Sequence, residues 1–236
     1  MAQVRGVGKA QMRAIANQKL VETVNSLHPD IFVSEYITQQ RLEDVQLELV
    51  ELLDENVRLN FVYADALRAK DQMYILEACF KLIEESSAAD YKASEVKWSA
   101  ARKRREMLLP DMKYLVISNF PTHQTDQPAE VLGFVSFMIT YEDGYEVIYV
   151  YEIHIANRLR GKGVGSVLMK EIKNIGQRVD VEKCMLTVFR SNKQAVRWYG
   201  RLGYTQDDFS PAPRVLRNGA VKEPSYTILS KSLRTR

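Results

Sequence analysis

The sequence predicts a mixed α/β (α+β) fold in which helices flank a central, mixed and mostly antiparallel sheet, with a helical extension at the N-terminus. Three observations carry that expectation. Between Lys113 and Ile155 the apolar spacing changes from helical to a period of two, in segments rich in β-branched and aromatic residues. Turn chemistry separates those segments, first Pro121 to Pro128 and then Glu142-Asp143-Gly144. From Gly163 onward helical and strand patterns alternate, which gives the order β-β-β-α-β-α-β.

Residues 9–27 place Met12, Ile15, Leu20, Val24 and Leu27 near helical spacing and stop at His28-Pro29-Asp30, as an amphipathic helix laid on the core would. Val45 to Leu52 alternates at first and reads as a strand, although the charged residues around it also permit a helix. Residues 1–60 are therefore expected to form an extension and first strand packed on the core, and residues 61–236 the main domain, one structural domain overall. From Asp65 to Ser86, Leu67, Met73, Ile75, Leu76, Cys79, Phe80, Leu82 and Ile83 recur at helical spacing without Pro or Gly. A second helix is expected to be capped by Ser94 and to end before Pro110; its basic cluster, Arg102 to Arg105, reads as a solvated face. Strands are expected over 113–120, 129–142 and 145–155. A helix after Gly163, a strand from Cys184 to Phe189, a helix from Asn192 to Leu202 and a strand from Ser225 to Leu233 complete the chain.

Thirty-three basic against 30 acidic residues leave +3 over 236 residues, too balanced for a phosphate-neutralising surface, so no direct nucleic-acid partner is expected. The longest apolar runs, such as Val131 to Ile139, fall short of the roughly 20 residues that span a bilayer. The N-terminus lacks an apolar signal core, and Ala2 stands where myristoylation requires glycine, so no membrane association is expected. Cys79 and Cys184 each lie in an apolar run, as buried reduced thiols of an intracellular protein would. His28, His123 and His154 match neither cysteine at a metal-ligand spacing, so no metal is expected.

The stretch Asn157 to Gly176 sets glycines 161, 163 and 165 among cations at the mouth of a helix. A Walker A loop would need Lys-Ser/Thr after its last glycine, and a dinucleotide fingerprint would need an acid at the end of the next strand; neither is present. Arg-x-x-Gly-x-Gly is satisfied by Arg160, Gly163 and Gly165. There, backbone N–H groups and the helix dipole converge on one anion, and a pyrophosphate is the natural guest, although ordinary βα turns share the pattern. Upstream, Tyr149 and Tyr151 share one strand face and Glu152 is expected on the other with Val150. A carboxylate on a helix-covered sheet face is either paired with a helix cation or functional, and a splay of the strand beside the loop would bring it to the cavity.

"IANRLRGKGVG" after an aromatic strand, followed by "LTVFRSNKQAVRWYGRLGY", resembles motifs A and B of the GNAT superfamily of acetyl-coenzyme A dependent N-acetyltransferases. A further resemblance, from Tyr91 to Ser232 through "VIYVYEIHI", "KCMLTVFRSN", "DDFSP" and "PSYTILSKS", is to the D-type N-terminal acetyltransferases, which act on histones beginning Ser-Gly-Arg-Gly. The sequence departs from that type where Val96 replaces a second Trp, Thr140 an acid, Phe209 a Ser and Tyr199 a Phe.

The resemblance implies a GNAT fold and acetyl-coenzyme A as cosubstrate. Its pyrophosphate would lie on Arg160, Gly161, Lys162, Gly163, Val164, Gly165 and Ser166. Main-chain contacts would come from Ile153, His154 and Ile155, and the pantetheine side would be lined by Thr187, Asn192 and Tyr199. Tyr199 is either a proton donor to the departing thiolate or plain packing, and the His154 side chain is expected to face away. An α-amine near pKa 8 needs less help than a lysine near 10.4, so a carboxylate acting through water suffices; the resemblance assigns that role to Glu152, with Tyr149 and Tyr151 positioning the amine. Cys184 is not placed as a nucleophile, which favours direct transfer. Glu142, Asp143, Glu146, Asp207 and Asp208 would attract a basic histone N-terminal peptide, and Tyr91, Trp98, Ser210 and Tyr226 would fix it. A monomer in cytoplasm and nucleus is expected, with the extension either bracing the fold or meeting the ribosome. The rival readings are a GNAT enzyme for lysine side chains or small amines, and a non-catalytic acyl-coenzyme A binding protein.

Overall fold

The computed structural model describes residues 20–119, 129–215 and 217–234. Seven strands form one sheet, β1 (Val57–Tyr63), β2 (Lys113–Asn119), β3 (Val131–Glu142), β4 (Tyr145–Ile155), β5 (Lys183–Phe189), β6 (Thr205–Gln206) and, last in the chain, β9 (Tyr226–Ser232). Their order is β1-β2-β3-β4-β5-β9-β6, and β7 (Arg214–Val215) pairs with β8 (Val221–Lys222) in a separate ribbon. All neighbours are antiparallel except β4 and β5. The expected mixed, mostly antiparallel sheet between helices is what the chain forms, and a helical segment, residues 20–25, is present ahead of it.

Two hydrophobic layers sandwich the sheet. On one face α1 (Pro29–Phe32), α2 (Gln39–Leu53), α5 (Val164–Val179) and α6 (Lys193–Arg201) pack on Leu115, Val135, Phe137, Ile148 and Val150. On the other, α3 (Met73–Ala93) and α4 (Ala100–Met107) pack on Tyr114, Val116 and Phe134. The β3–β4 hairpin turns at Asp143 and Gly144, both with positive φ (50° and 84°), as the Asp-Gly sequence requires.

Four expectations need correction. Val45 to Leu52 is helix, not strand: Val45, Leu49 and Leu53 are buried at four-residue spacing, while Leu47 is exposed, and Thr38 caps α2 by accepting from the Arg41 amide. The first strand is instead Val57–Tyr63, at the sheet edge. The helix expected from Asp65 begins only at Met73, because Ala66–Arg68 makes a 3₁₀ turn that buries Leu67; it then runs on to Ala93. Ser94 is the C-cap of that helix, its hydroxyl donating to the Tyr91 carbonyl, and Ser99 caps α4 instead. The expected helix 9–27 lies outside the described residues up to residue 19, as does the turn Pro121 to Pro128.

Candidate active site

The site grows from a fork in the sheet. β4 and β5 pair only from Val147–Lys183 to Val150–Leu186, yet β4 continues to Ile155 and β5 to Phe189, each still paired on its outer edge. The two strands therefore diverge, with the Tyr149 hydroxyl hydrogen-bonded to Thr187 Oγ1 (2.6 Å) near the fork. The main chain of Ile153, His154 and Ile155 lines one limb of the fork.

The glycine loop closes the same end. A short turn, Asn157–Leu159, leads through Arg160, whose Nε donates to the Ile155 carbonyl (3.0 Å), into α5. Gly161 and Gly163 have φ of 79° and 89°, a region that side-chain-bearing residues rarely enter. Gly163 is the N-cap of the 16-residue α5, so the amides of Val164 and Gly165 begin the helix without intrahelical acceptors. Arg160, Gly161, Lys162 and Gly163 are exposed beside them, a set suited to a diphosphate. Gly165 has a second cause: a Cβ there would lie 3.1 Å from the Trp198 ring, which rests on the first turn of α5 with its indole N–H toward Ser166 Oγ. Trp198 stands out only by its packing, which no local sequence pattern marks. Asn192 caps α6 by accepting from the Ala195 amide. The Tyr199 ring is buried between Trp198 and Tyr204.

The reactive-looking cluster lies on the α3–α4 face. β3 and β4 slip register at Tyr151: Ser136 opposes Glu152 while Phe137 opposes Val150. That bulge inverts the alternation, so Val150 packs toward α5 while Glu152 turns to α4. The expectation that Glu152 shares a face with Val150 is therefore corrected. Its Oε1 accepts from Lys103 Nζ (2.7 Å) and the Tyr91 hydroxyl (3.2 Å), and its Oε2 from His154 Nε2 (2.6 Å). Lys103 also donates to the Tyr91 oxygen (2.7 Å) and to Glu106 (2.6 Å), and His154 Nδ1 meets Ser86 Oγ (2.6 Å).

Burial by itself would raise the Glu152 carboxyl, but the hydrogen bond and charge of His154, with those of Lys103, outweigh it and bring it down to about 2. Burial would lower the Lys103 ammonium, and Glu152, Tyr91 and Glu106 more than reverse that. The solvated face read into Arg102 to Arg105 thus fails at Lys103, which is 4% exposed. Arg104 is also engaged, paired with Glu77 and stacked 3.6 Å over Phe80. Nor does the His154 side chain face away. Sequence spacing offered one clue, since Lys103 and Met107 share the buried side of α4.

Aromatic rings surround this cluster. Tyr91 contacts Phe189 at the end of β5 (4.8 Å, edge to face) and Trp98 (5.6 Å), and Tyr149 contacts Tyr151 (5.3 Å). Tyr226 opposes Phe189 across β5–β9. Burial and, less, the charge of Glu142 raise the Tyr149 and Tyr151 hydroxyls, Tyr149 to about 12. Ser210 is spent on structure, its hydroxyl bonded to Thr227 and to the Ile228 amide. Two acids expected to draw a basic peptide are withdrawn: Glu146 is buried near Arg234, and Asp207 is paired with Lys183 at 2.7 Å. Cys79 and Cys184 are buried free thiols; the Tyr204 hydroxyl donates to Cys184, whose thiol burial pushes up to about 12. Among the described residues no group of three or more His, Cys, Asp or Glu is arranged to hold a metal, and no helix is long and apolar enough to cross a membrane.

A model described as the acetyltransferase (GNAT) family matches residues 77–204. N-alpha-acetyltransferase 40 of Saccharomyces cerevisiae is 31% identical over 159 residues, covering 59% of this chain and 54% of the yeast protein, so the chain spans about half the length of that relative. Two solved structures share the fold: Tetrahymena GCN5 (TM-score 0.51, 13% identity, 75% of this chain and 96% of that one) and a Streptococcus mutans protein (TM-score 0.51, 17% identity, 75% and 99%).

Proposed function

Since the chain belongs to the acetyltransferase (GNAT) family, we propose that it transfers acetyl to the N-terminal α-amine of histone-type peptides beginning Ser-Gly-Arg-Gly. The observation that carries this reading is the fork between β4 and β5, walled by Tyr149, Tyr91 and Phe189 and backed by the buried Glu152 anion. Support for the α-amine comes from the likeness to a yeast protein named as an N-alpha-acetyltransferase.

The residues fit acetyl-coenzyme A, the cosubstrate of this family. Its diphosphate would meet the start of α5 with Arg160 and Lys162, and its chain the open edges of β4 and β5. Bound there, it supplies the acetyl group as a thioester. Cys184 offers no route through an acetyl-enzyme, because its thiol is buried, hydrogen-bonded and held protonated, so the amine attacks directly. An α-amine near pKa 8 is already partly neutral at physiological pH. A carboxyl brought down to about 2 is a weak proton acceptor; Glu152 therefore acts mainly through its charge, steadying the positive nitrogen of attack while solvent takes the proton. Burial raises the Tyr199 hydroxyl, which makes it a poor donor to a thiolate and leaves that proton to solvent as well. Glu142, at the β3 end of the hairpin, would meet a basic side chain of the peptide.

Mass spectrometry of Ser-Gly-Arg-Gly peptides with free and blocked N-termini, incubated with acetyl-coenzyme A, tests this directly. Acetylation of the free α-amine alone is expected; modification of an internal lysine in the blocked peptide would refute it.

A further inference from the structure

Glu152 is gripped at both oxygens by groups that no simple base requires. A carboxylate only accepts hydrogen bonds, so the His154 nitrogen at Oε2 and the Lys103 ammonium at Oε1 are donors, and the carboxylate cannot turn without breaking one of them. The imidazole is itself held in plane by Ser86 at its other nitrogen and by the Phe134 ring, 5.6 Å away. The Tyr91 hydroxyl, the group between this clamp and the Phe189 wall of the fork, donates to the same Oε1. We propose that Lys103 and His154 are positioning residues for acetyl transfer, clamping Glu152 from two sides so that it remains a fixed anion behind Tyr91.

This rests on the reading of the fork as an α-amine acetylation site. The titratable groups that face Glu152 are Lys103 and Glu106 from α4, Tyr91 from α3 and His154 on β4 itself, with Tyr114 of β2 and Tyr199 of α6 at longer range. With both donors in place Glu152 does not change charge near neutrality, so it adds no limb of its own to the wild-type profile. Removing either donor gives burial more weight, and Glu152 then adds a limb of its own.

The test compares Lys103→Met, His154→Leu and His154→Gln with the full-length wild type. His154→Gln keeps an N–H toward Oε2 without the ring. Steady-state kinetics with a free-N-terminus Ser-Gly-Arg-Gly peptide from about pH 6 to about pH 9 should show kcat lowered about 10- to 100-fold in the Met and Leu variants, with a displaced acid limb and unchanged KM for acetyl-coenzyme A. His154→Gln should recover most of kcat. Unaltered pH profiles in both apolar variants, or equal losses in the Gln and Leu variants, overturn the proposal. A second readout needs no acceptor: the ¹³C carboxyl resonance of Glu152, assigned by its loss in Glu152→Gln, should remain that of the ion down to strongly acid pH in the wild type and titrate higher in the apolar variants. If the wild type acetylates no α-amine, the functional reading falls while this resonance still decides the clamp; a carboxyl that titrates alike in all the proteins sinks the clamp whatever the activity. Should Lys103→Met fail to fold, the two His154 variants carry both measurements.

Discussion

Replacing Glu152 with Gln removes one charge while nearly preserving shape. The amide oxygen still accepts from Lys103 and Tyr91 at Oε1, and only the contact with His154 changes character. The Tyr91 oxygen is 3.2 Å from Oε1. A peptide amine bonded to that hydroxyl at about 2.9 Å would therefore sit at most about 6 Å from the carboxylate. Two unit charges about 6 Å apart, at an effective dielectric of about 20, interact by about 3 kcal/mol. Since about 1.4 kcal/mol is tenfold in rate, Glu152→Gln should lower kcat/KM for the peptide about 100-fold. Affinity for acetyl-coenzyme A should not change, because the loop from Arg160 to Gly165 is untouched. Steady-state peptide acetylation measures the first quantity and calorimetry with coenzyme A the second, while a melting curve confirms the fold. A folded variant within about three-fold of the wild-type kcat/KM would refute the role of the Glu152 charge.

Gly163→Ala places a side chain at φ 89°, at about 1–2 kcal/mol; the loop should relax and the KM for acetyl-coenzyme A rise about tenfold, with kcat little changed. Gly176→Ala puts a Cβ 2.4 Å from Leu233 Cδ1 and 2.8 Å from Ile148 Cγ2, so an overpacking cost of about 1–3 kcal/mol should outweigh the helix-propensity gain and lower Tm by a few degrees without altering kinetics. Cys184→Ala strands the Tyr204 hydroxyl and should destabilise by about 1–3 kcal/mol, yet retain acetyl transfer; loss of transfer in a folded variant, or acetyl found on Cys184, would contradict direct attack. Burial would raise the Asp207 carboxyl, but hydrogen bonds from Lys183, Ser230 and the Phe209 amide outweigh it, so its folded pKa lies below the ordinary value near 3.9. Its contribution is thus present above about pH 4 and lost as pH falls through the depressed value; the Tm difference between wild type and Asp207→Asn should shrink on acidification over that window.

What the sequence revealed follows the range of the physics involved. The Asp143-Gly144 turn and the period-two runs of β3 and β4 are set by neighbouring residues and were legible as such. The glycine loop was legible too, since positive φ at Gly161 and Gly163 is a local demand. Val45 to Leu52 misled because Val45, Leu47 and Leu49 alternate in the sequence, whereas burial follows Val45, Leu49 and Leu53 once Thr38 starts a helix. Glu152 could be singled out as an acid in an aromatic strand, but Lys103 and Ser86 could not be attached to it. They arrive from α4 and α3, and only the packed sheet brings them within 3 Å of Glu152 and His154 respectively.

The register slip at Tyr151 ties fold to chemistry. With unbroken alternation Glu152 would follow Ile148 and Val150 into the apolar layer under α5, where burial would favour its neutral form. One extra residue in β4 turns it to the opposite layer, beside Lys103, Tyr91 and His154, where it is held as an ion. The fork with β5 opens at the same place, for the last paired residues are Val150 and Leu186. Strand divergence, which would expose backbone to the proposed acetyl donor, and the anion that would face the acceptor thus begin within two residues of one another.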